Sequence, residues 1–230
     1  MQNVSEALRP LIVAEPGFLF CSLDLSRCEV TLAAAMSGDA DLIADLNAGD
    51  PYIELAVDFY GEEARDDAHA RMKFKRALIA ALYGQGSSSL AADLGITKSE
   101  SEALRAKLRA AYPTVFAWIK MNTTAAKRGE RWFTITGRPL PLSEPGREFT
   151  ATNHQVQGSG ADMLYDGVER LAAVIGRRAL VLSVHDEIVA QVRPHQIEAT
   201  LEALVTCMTT ELPGITLTGE AKYLGTSWSK

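Results

Sequence analysis

The chain has 230 residues, 47% of them hydrophobic, enough to bury the core of one domain or two small ones. Three cysteines (Cys21, Cys28, Cys207) are too few and odd in number for a disulfide framework. No signal-peptide pattern opens the chain and no apolar run reaches membrane-span length, so a cytoplasmic protein without membrane segments is expected.

Ser5 is placed to cap a short opening helix. Pro16-Gly17 then turns the chain into a strand from Phe18 to about Leu25. "CEVTLAAAMSG", "DADLIADLNAG" and "PYIELAVDFYG" read as three helices closed by Gly38, Gly49 and Gly61. A long basic helix is predicted from about Arg65 to Tyr83, closed by Gly84, and "SSSLAADLG" gives a short one. Thr97 or Ser99 caps the next helix, which stops before Pro113. A helix through Trp118 and Lys127 ends at Gly129. "RWFTITGRPLPL" reads as a hairpin turning at Gly137-Arg138. A long helix from about Asn153 to Ile175, two strands around His185, a helix from about Gln196 to Leu212 and a short terminal strand complete the chain. The order predicts an α+β fold, a small antiparallel sheet with packing helices plus a helical insertion.

Charge is unevenly spread beneath the net −6. Residues 1–70 hold 3 Lys/Arg against 14 Asp/Glu, residues 71–150 hold 14 against 6, and residues 151–230 hold 6 against 9. A basic middle suits phosphates, whereas acidic flanks suit cations; solvated faces would leave the same pattern.

The stretch "VLSVHDEIVAQV" places His185, Asp186 and Glu187 between two apolar runs. Two-residue hairpins normally need Gly or Asn for positive φ, and neither is present. The stretch reads as a solvated hairpin tip, or as a tip that presents carboxylates to a metal. Asp24, at the end of an apolar strand, is a partner for the second reading, because a buried aspartate needs a hydrogen bond, a cation or a metal. Two Mg²⁺ ions roughly 3.5–4 Å apart between such carboxylates suit phosphoryl transfer. In "RMKFKRALIAALYG", Arg71, Lys75, Ile79 and Tyr83 recur every four residues, about 400° per step, and so share one slowly drifting stripe. Two cations and a ring on one stripe suit a triphosphate tail and a base or sugar, and equally suit an ordinary surface helix.

These segments resemble DNA polymerases of family A, the bacterial DNA polymerase I type. "LDLSRCEV" is similar to the family's DYSQIEL, "RMKFKRALIAALYG" to Arg-x₃-Lys-x₃-Phe-x₃-Tyr-Gly, "GRPLPL" to GRRLYLP, "NHQVQGSGAD" to NAPMQGTAAD, and "VHDE" to the third motif. They occur in the family's order across the chain. The resemblance implies a palm at residues 1–50 and 129–230 and helical fingers at residues 51–128. It implies that Asp24, Asp186 and the carbonyl of Leu25 hold two Mg²⁺ ions, for which Mn²⁺ is a substitute, with Glu187 acting near the primer end. Arg71 and Lys75 would hold the incoming dNTP, Tyr83 and Ile79 would shape its pocket, and Glu29 would exclude a ribose 2′-hydroxyl. Arg138, Asn153, Gln157 and His185 would contact primer-template DNA.

Departures are Leu25 for the family tyrosine, Arg27 for glutamine, Thr31 for a basic residue, Tyr52 for histidine and Ile79 for Phe or Tyr. Only 23 residues precede Asp24, so a second polypeptide supplying a thumb and the remaining palm is expected, as in a split, phage-type polymerase. Without it the chain is expected to self-associate as a homo-oligomer. The setting implied is a bacterial cell or phage-infected host. The alternative kept from another class is a non-catalytic DNA-binding paralogue or accessory subunit.

Overall fold

The structure is a computed structural model that describes residues 4–228. After a 3₁₀ turn (Glu6–Leu11) come strand β1 (Leu19–Leu25) and helices α1 (Cys28–Ser37), α2 (Ala40–Ala48) and α3 (Pro51–Tyr60). Helices α4 (Ala68–Leu82), α5 (Ser87–Leu94), α6 (Lys98–Ala111) and α7 (Pro113–Lys127) follow. The chain closes with α8 (Ala151–Ile175), β2 (Leu180–Val184), β3 (Glu187–Val192), α9 (Ile197–Met208), β4 (Thr210–Leu212), β5 (Ile215–Leu217) and β6 (Gly219–Gly225). Among the described residues no helix is long and apolar enough to cross a membrane.

The described chain divides into two compact units. The first comprises residues up to 28, residues 160–211 and those from 216 on; the second comprises residues 29–159 and 212–215. The first holds an antiparallel sheet of order β2-β3-β1-β6. β1 is central and buried almost throughout, which explains its continuous apolar run. One sheet face carries Phe20, Leu182, Val184 and Val189, packed with Trp228; α9 covers β1 and β6. Gly167 allows α8 to approach α9, since a Cβ there would lie 3.0 Å from the Met208 methyl carbon.

The second unit is helical. The carboxylate of Asp39, 1% exposed, accepts Leu42 N–H at 3.0 Å, Thr114 N–H at 2.9 Å and Val115 N–H at 3.1 Å, satisfying the first turns of α2 and α7 together. Tyr112, fully buried, donates to Asp45 at 2.9 Å, and burial first, then this bond, holds its hydroxyl far above the usual tyrosine range. Lys73 reaches Glu100 at 3.0 Å, and Tyr60 donates to the same carboxylate at 2.9 Å, tying α3, α4 and α6.

The predicted α+β fold with its small antiparallel sheet is present. Ser5 makes no side-chain cap, and the opening turn is 3₁₀ with Pro10 inside it. α4 starts at Ala68, later than predicted, because Asp67 is the cap, accepting His69 N–H. Thr97, and not Ser99, caps α6. The segment after α7 turns at Gly137 (φ 85°) but retains only the bridge Phe133↔Pro139. Pro139 and Pro141 lack the N–H groups a ladder needs. α9 ends at Met208, and the residues predicted to extend it form β4 instead.

Candidate active site

In the first unit, β1 and β3 pair in a register that sets Asp24 opposite Glu187. β2 and β3 meet through the two-residue tip His185-Asp186, with Val184 opposite Glu187. The N–H of Leu25 donates to the carbonyl of Asp186 at 3.0 Å, so the end of β1 is bonded to the hairpin tip. Asp24, Leu25, His185, Asp186 and Glu187 therefore share one end of the sheet. Asp24 and Asp186 are half-buried, Glu187 is buried at 3% exposure, and His185 is exposed.

The backbone here is strained. His185 (φ 55°) and Arg27 (φ 53°) are the only non-glycine residues with positive φ among the described residues. Each lies within three residues of Asp24 or Asp186. A non-glycine residue in this region costs roughly 1–3 kcal/mol and persists where surrounding structure enforces it, commonly at functional sites. His185 thus takes the conformation a glycine would normally supply at this turn.

On the other side of β1, β6 places Glu220 opposite Asp24 and Lys222 opposite Ser22. Glu220 and Lys222 form an ion pair at 2.7 Å. Lys222 is held above the ordinary lysine range, first by the hydrogen bond to Glu220, with the negative fields of Asp24 and Glu187 adding. Sequence reasoning missed this cation beside the carboxylates; the alternation in "GEAKY" is the signal that would have marked it.

In the second unit, the predicted stripe on α4 is present. Arg71, Lys75 and Ile79 are half-buried and Tyr83 is exposed, while Ala70, Phe74, Ala77, Leu78 and Ala81 fill the core side. Tyr83 stands at the helix C-cap. Arg71 is paired with Asp50. Lys75 has no ion-pair or hydrogen-bond partner among the described residues. A cavity of about 650 Å³ opens along the helix, lined by Arg76, Ile79, Ala80, Tyr83, Leu90 and Asp93, among others.

Glu29, in the first turn of α1, is joined to Tyr83 and Gln157. The Tyr83 hydroxyl and the Gln157 amide each donate to Glu29 Oε1 at 2.5 Å, and the amide also reaches the Tyr83 oxygen at 2.8 Å. Burial first, then the bond to Glu29, raises the Tyr83 hydroxyl far above its ordinary range, so it stays a donor into alkaline solution. The residue expected to face the sugar, the ring expected beside it and Gln157, expected toward primer or template, thus form one network. Arg138 donates to the carbonyl of Gly158 at 3.0 Å. Asn153, in the first turn of α8, keeps a buried Oδ1 without a hydrogen-bond partner among the described residues.

Among the described residues no group of three or more His, Cys, Asp or Glu side chains forms a metal cluster. Mg²⁺ does not require one, since it binds through one or two carboxylates, waters and substrate phosphates. Two aspartates and a backbone carbonyl at one sheet end are oxygen donors of the kind it takes.

The fold is an α+β polymerase fold. It aligns with the POL domain of Pol1 from M. smegmatis, solved in complex with DNA primer-template and dNTP, at a TM-score of 0.85 and 24% identity, over 99% of this chain and 44% of that one. The chain belongs to DNA polymerase family A, whose sequence model matches residues 1–230. It is 26% identical over 222 residues to the DNA polymerase of Mycobacterium phage D29, covering 96% of this chain and 36% of that protein. It is 29% identical to the DNA polymerase I of Chloroflexus aurantiacus and to the thermostable DNA polymerase I of Thermus aquaticus. Those alignments cover 86% and 85% of this chain, but 22% and 25% of the relatives. The chain therefore spans well under half the length of these relatives.

Proposed function

We propose that the chain is the catalytic portion of a template-directed DNA polymerase, adding a deoxynucleotide to a primer 3′-hydroxyl and releasing pyrophosphate. The observation that carries this reading is the register bringing Asp24, Asp186 and Glu187 to one strained end of the sheet. Family membership and the relatives' names support it. In this reading residues 1–50 and 129–230 serve as palm and residues 51–128 as fingers.

Asp24, Asp186 and the Leu25 carbonyl would hold two Mg²⁺ ions, or Mn²⁺ in their place. When bound, such ions polarise the phosphate and neutralise charge on the attacking and leaving oxygens. The primer 3′-hydroxyl gives up its proton to solvent as its oxygen forms a bond to the α-phosphorus, the α–β phosphoanhydride breaks, and its electron pair leaves with pyrophosphate. Arg71 and Lys75 bind the triphosphate oxygens and stabilise the leaving charge; positioning and electrostatics do most of the work in such transfers. Tyr83 and Ile79 bound the nucleotide pocket, and Ile79 offers an apolar contact without a ring. Glu29, fixed by Tyr83 and Gln157, blocks the space of a 2′-hydroxyl. Glu187 acts near the primer terminus. Arg138, Asn153, Gln157 and His185 contact primer or template.

A second polypeptide carrying a thumb and the rest of the palm is the partner proposed for holding duplex product. The test is single-nucleotide incorporation on four primed templates that differ only at the templating base, followed by extension on a long template. Incorporation of the complementary dNTP alone, with short products until the partner is added, is the expected result. Indifference to the templating base sinks the polymerase reading, and long products from the isolated monomer sink the partner.

A further inference from the structure

We infer that Asp50 is a positioning residue for the triphosphate, acting through Arg71; this rests on the reading of Arg71 as a phosphate ligand. Asp50 is the N-cap of α3, and its Oδ1 accepts Tyr52 N–H at 2.9 Å. Its Oδ2 accepts Arg71 Nε at 2.7 Å and Nη2 at 2.5 Å. The guanidinium also lies over the Tyr52 ring, 5.9 Å from its centroid. The pair is sheltered, with 33% of the Arg71 side chain and 23% of the Asp50 side chain exposed.

The pairing engages one flank of the guanidinium. Of its five N–H donors, the two on Nη1 and one on Nη2 are not used by Asp50. Arginine binds phosphate through such a planar pair of donors, so a guanidinium fixed on one flank presents the opposite edge in a set plane. Without Asp50, a long side chain with several rotatable bonds would have to be ordered by the nucleotide itself, weakening binding.

One effect opposes this: the Asp50 carboxylate repels a triphosphate. Its charge is offset twice, by Arg71 and by the unsatisfied N–H groups of the α3 N-terminus on which it sits. We therefore expect the ordering effect to win. Arg71 and Asp50 are 21 residues apart in sequence, and Asp50 looks there like an ordinary cap in "GDPY".

The discriminating substitution is Asp50→Asn. Asparagine caps a helix as well as aspartate does, so α3 keeps its first turn while the charge facing Arg71 is lost. Equilibrium binding of Mg²⁺ and N-methylanthraniloyl-dATP to the purified protein would be compared for wild type, D50N, R71A and the double variant, with melting temperatures. In extension assays the KM for dNTP would be separated from kcat.

We expect D50N to weaken binding roughly five- to tenfold, the scale of the net contribution of one hydrogen bond. KM should rise more than kcat falls, melting should be unchanged, and D50N should add nothing in the R71A background. Binding as tight as wild type, or tighter, would overturn the inference, the latter making Asp50 a competitor of the nucleotide. An equal D50N effect with and without Arg71 would overturn it too, by placing the effect in α3. If R71A itself binds like wild type, the phosphate role of Arg71 fails first, and the inference falls with it.

Discussion

Replacing Glu29 with alanine should admit ribonucleotides. Its Oε1 takes a hydroxyl hydrogen from Tyr83 and an amide hydrogen from Gln157, both at 2.5 Å, so the carboxylate is held from two directions. Alanine would remove the proposed block but leaves Tyr83 and Gln157 bonded to each other at 2.8 Å, so the fold should lose less than about 1 kcal/mol for a network this open to solvent. One excluded group in a shaped pocket discriminates by about 1–3 kcal/mol, so the rNTP-to-dNTP incorporation ratio should rise roughly 10- to 200-fold. Tyr83→Phe removes one of the two bonds that orient the gate and should raise the ratio roughly two- to tenfold. Because the Tyr83 hydroxyl is raised above its ordinary value of about 10, the network is complete below that pH and is lost only as pH rises through the higher folded-state value. Sugar selectivity should therefore be flat from neutral pH to about 9. The assay is single-nucleotide incorporation with matched rNTP and dNTP. An unchanged ratio in a folded, dNTP-active Glu29→Ala protein would refute the gate.

Two further substitutions test packing. A Cβ on Gly219 would lie 2.6 Å from the carbonyl oxygen of Asp24, so Gly219→Ala should push β6 off β1; activity should fall together with a melting loss of about 1–3 kcal/mol, and an unaffected enzyme would show that the strands can give way. Lys73→Met should remove about 1 kcal/mol of stability at neutral pH, since the Lys73–Glu100 side chains are 15% and 29% exposed. Glu100 is lowered, chiefly by its bond to Lys73, so its share is present above its unfolded value and lost as acid protonates it below. Burial pulls Lys73 down, but its bonds to Glu100 and Tyr60 together outweigh that and raise it, so its share is present below the unfolded lysine value and lost in strong alkali. Melting against pH should show both limbs in wild type and flatten in the variant; parallel curves would mean the pair contributes nothing.

The strand ends and the α4 stripe were legible because each is local. Asp24 and Asp186 interrupt apolar runs where a buried carboxylate needs a reason, and the i, i+4 spacing from Arg71 to Tyr83 fixes one helix face. What escaped depends on pairing between distant segments. Glu29 meets Gln157 across 128 residues, Asp50 meets Arg71 across 21, and Lys222 lies near Asp24 only through the β1–β6 register. The tip at His185 looked wrong for a tight turn because glycine was missing, and the structure meets the requirement by strain. At Phe133–Pro139 the sequence marks the turn, but the prolines shorten the ladder to a single bridge.

The most direct test of the carboxylate site is single-turnover incorporation by Asp24→Ala and Asp186→Ala proteins, each checked for native circular dichroism. Mn²⁺ binding would be followed by electron paramagnetic resonance on the same samples. Each variant should lose incorporation by roughly three orders of magnitude or more, with weakened Mn²⁺ binding and an intact fold. Incorporation near the wild-type rate by either folded variant would contradict the assignment of Asp24 and Asp186 to the metal site.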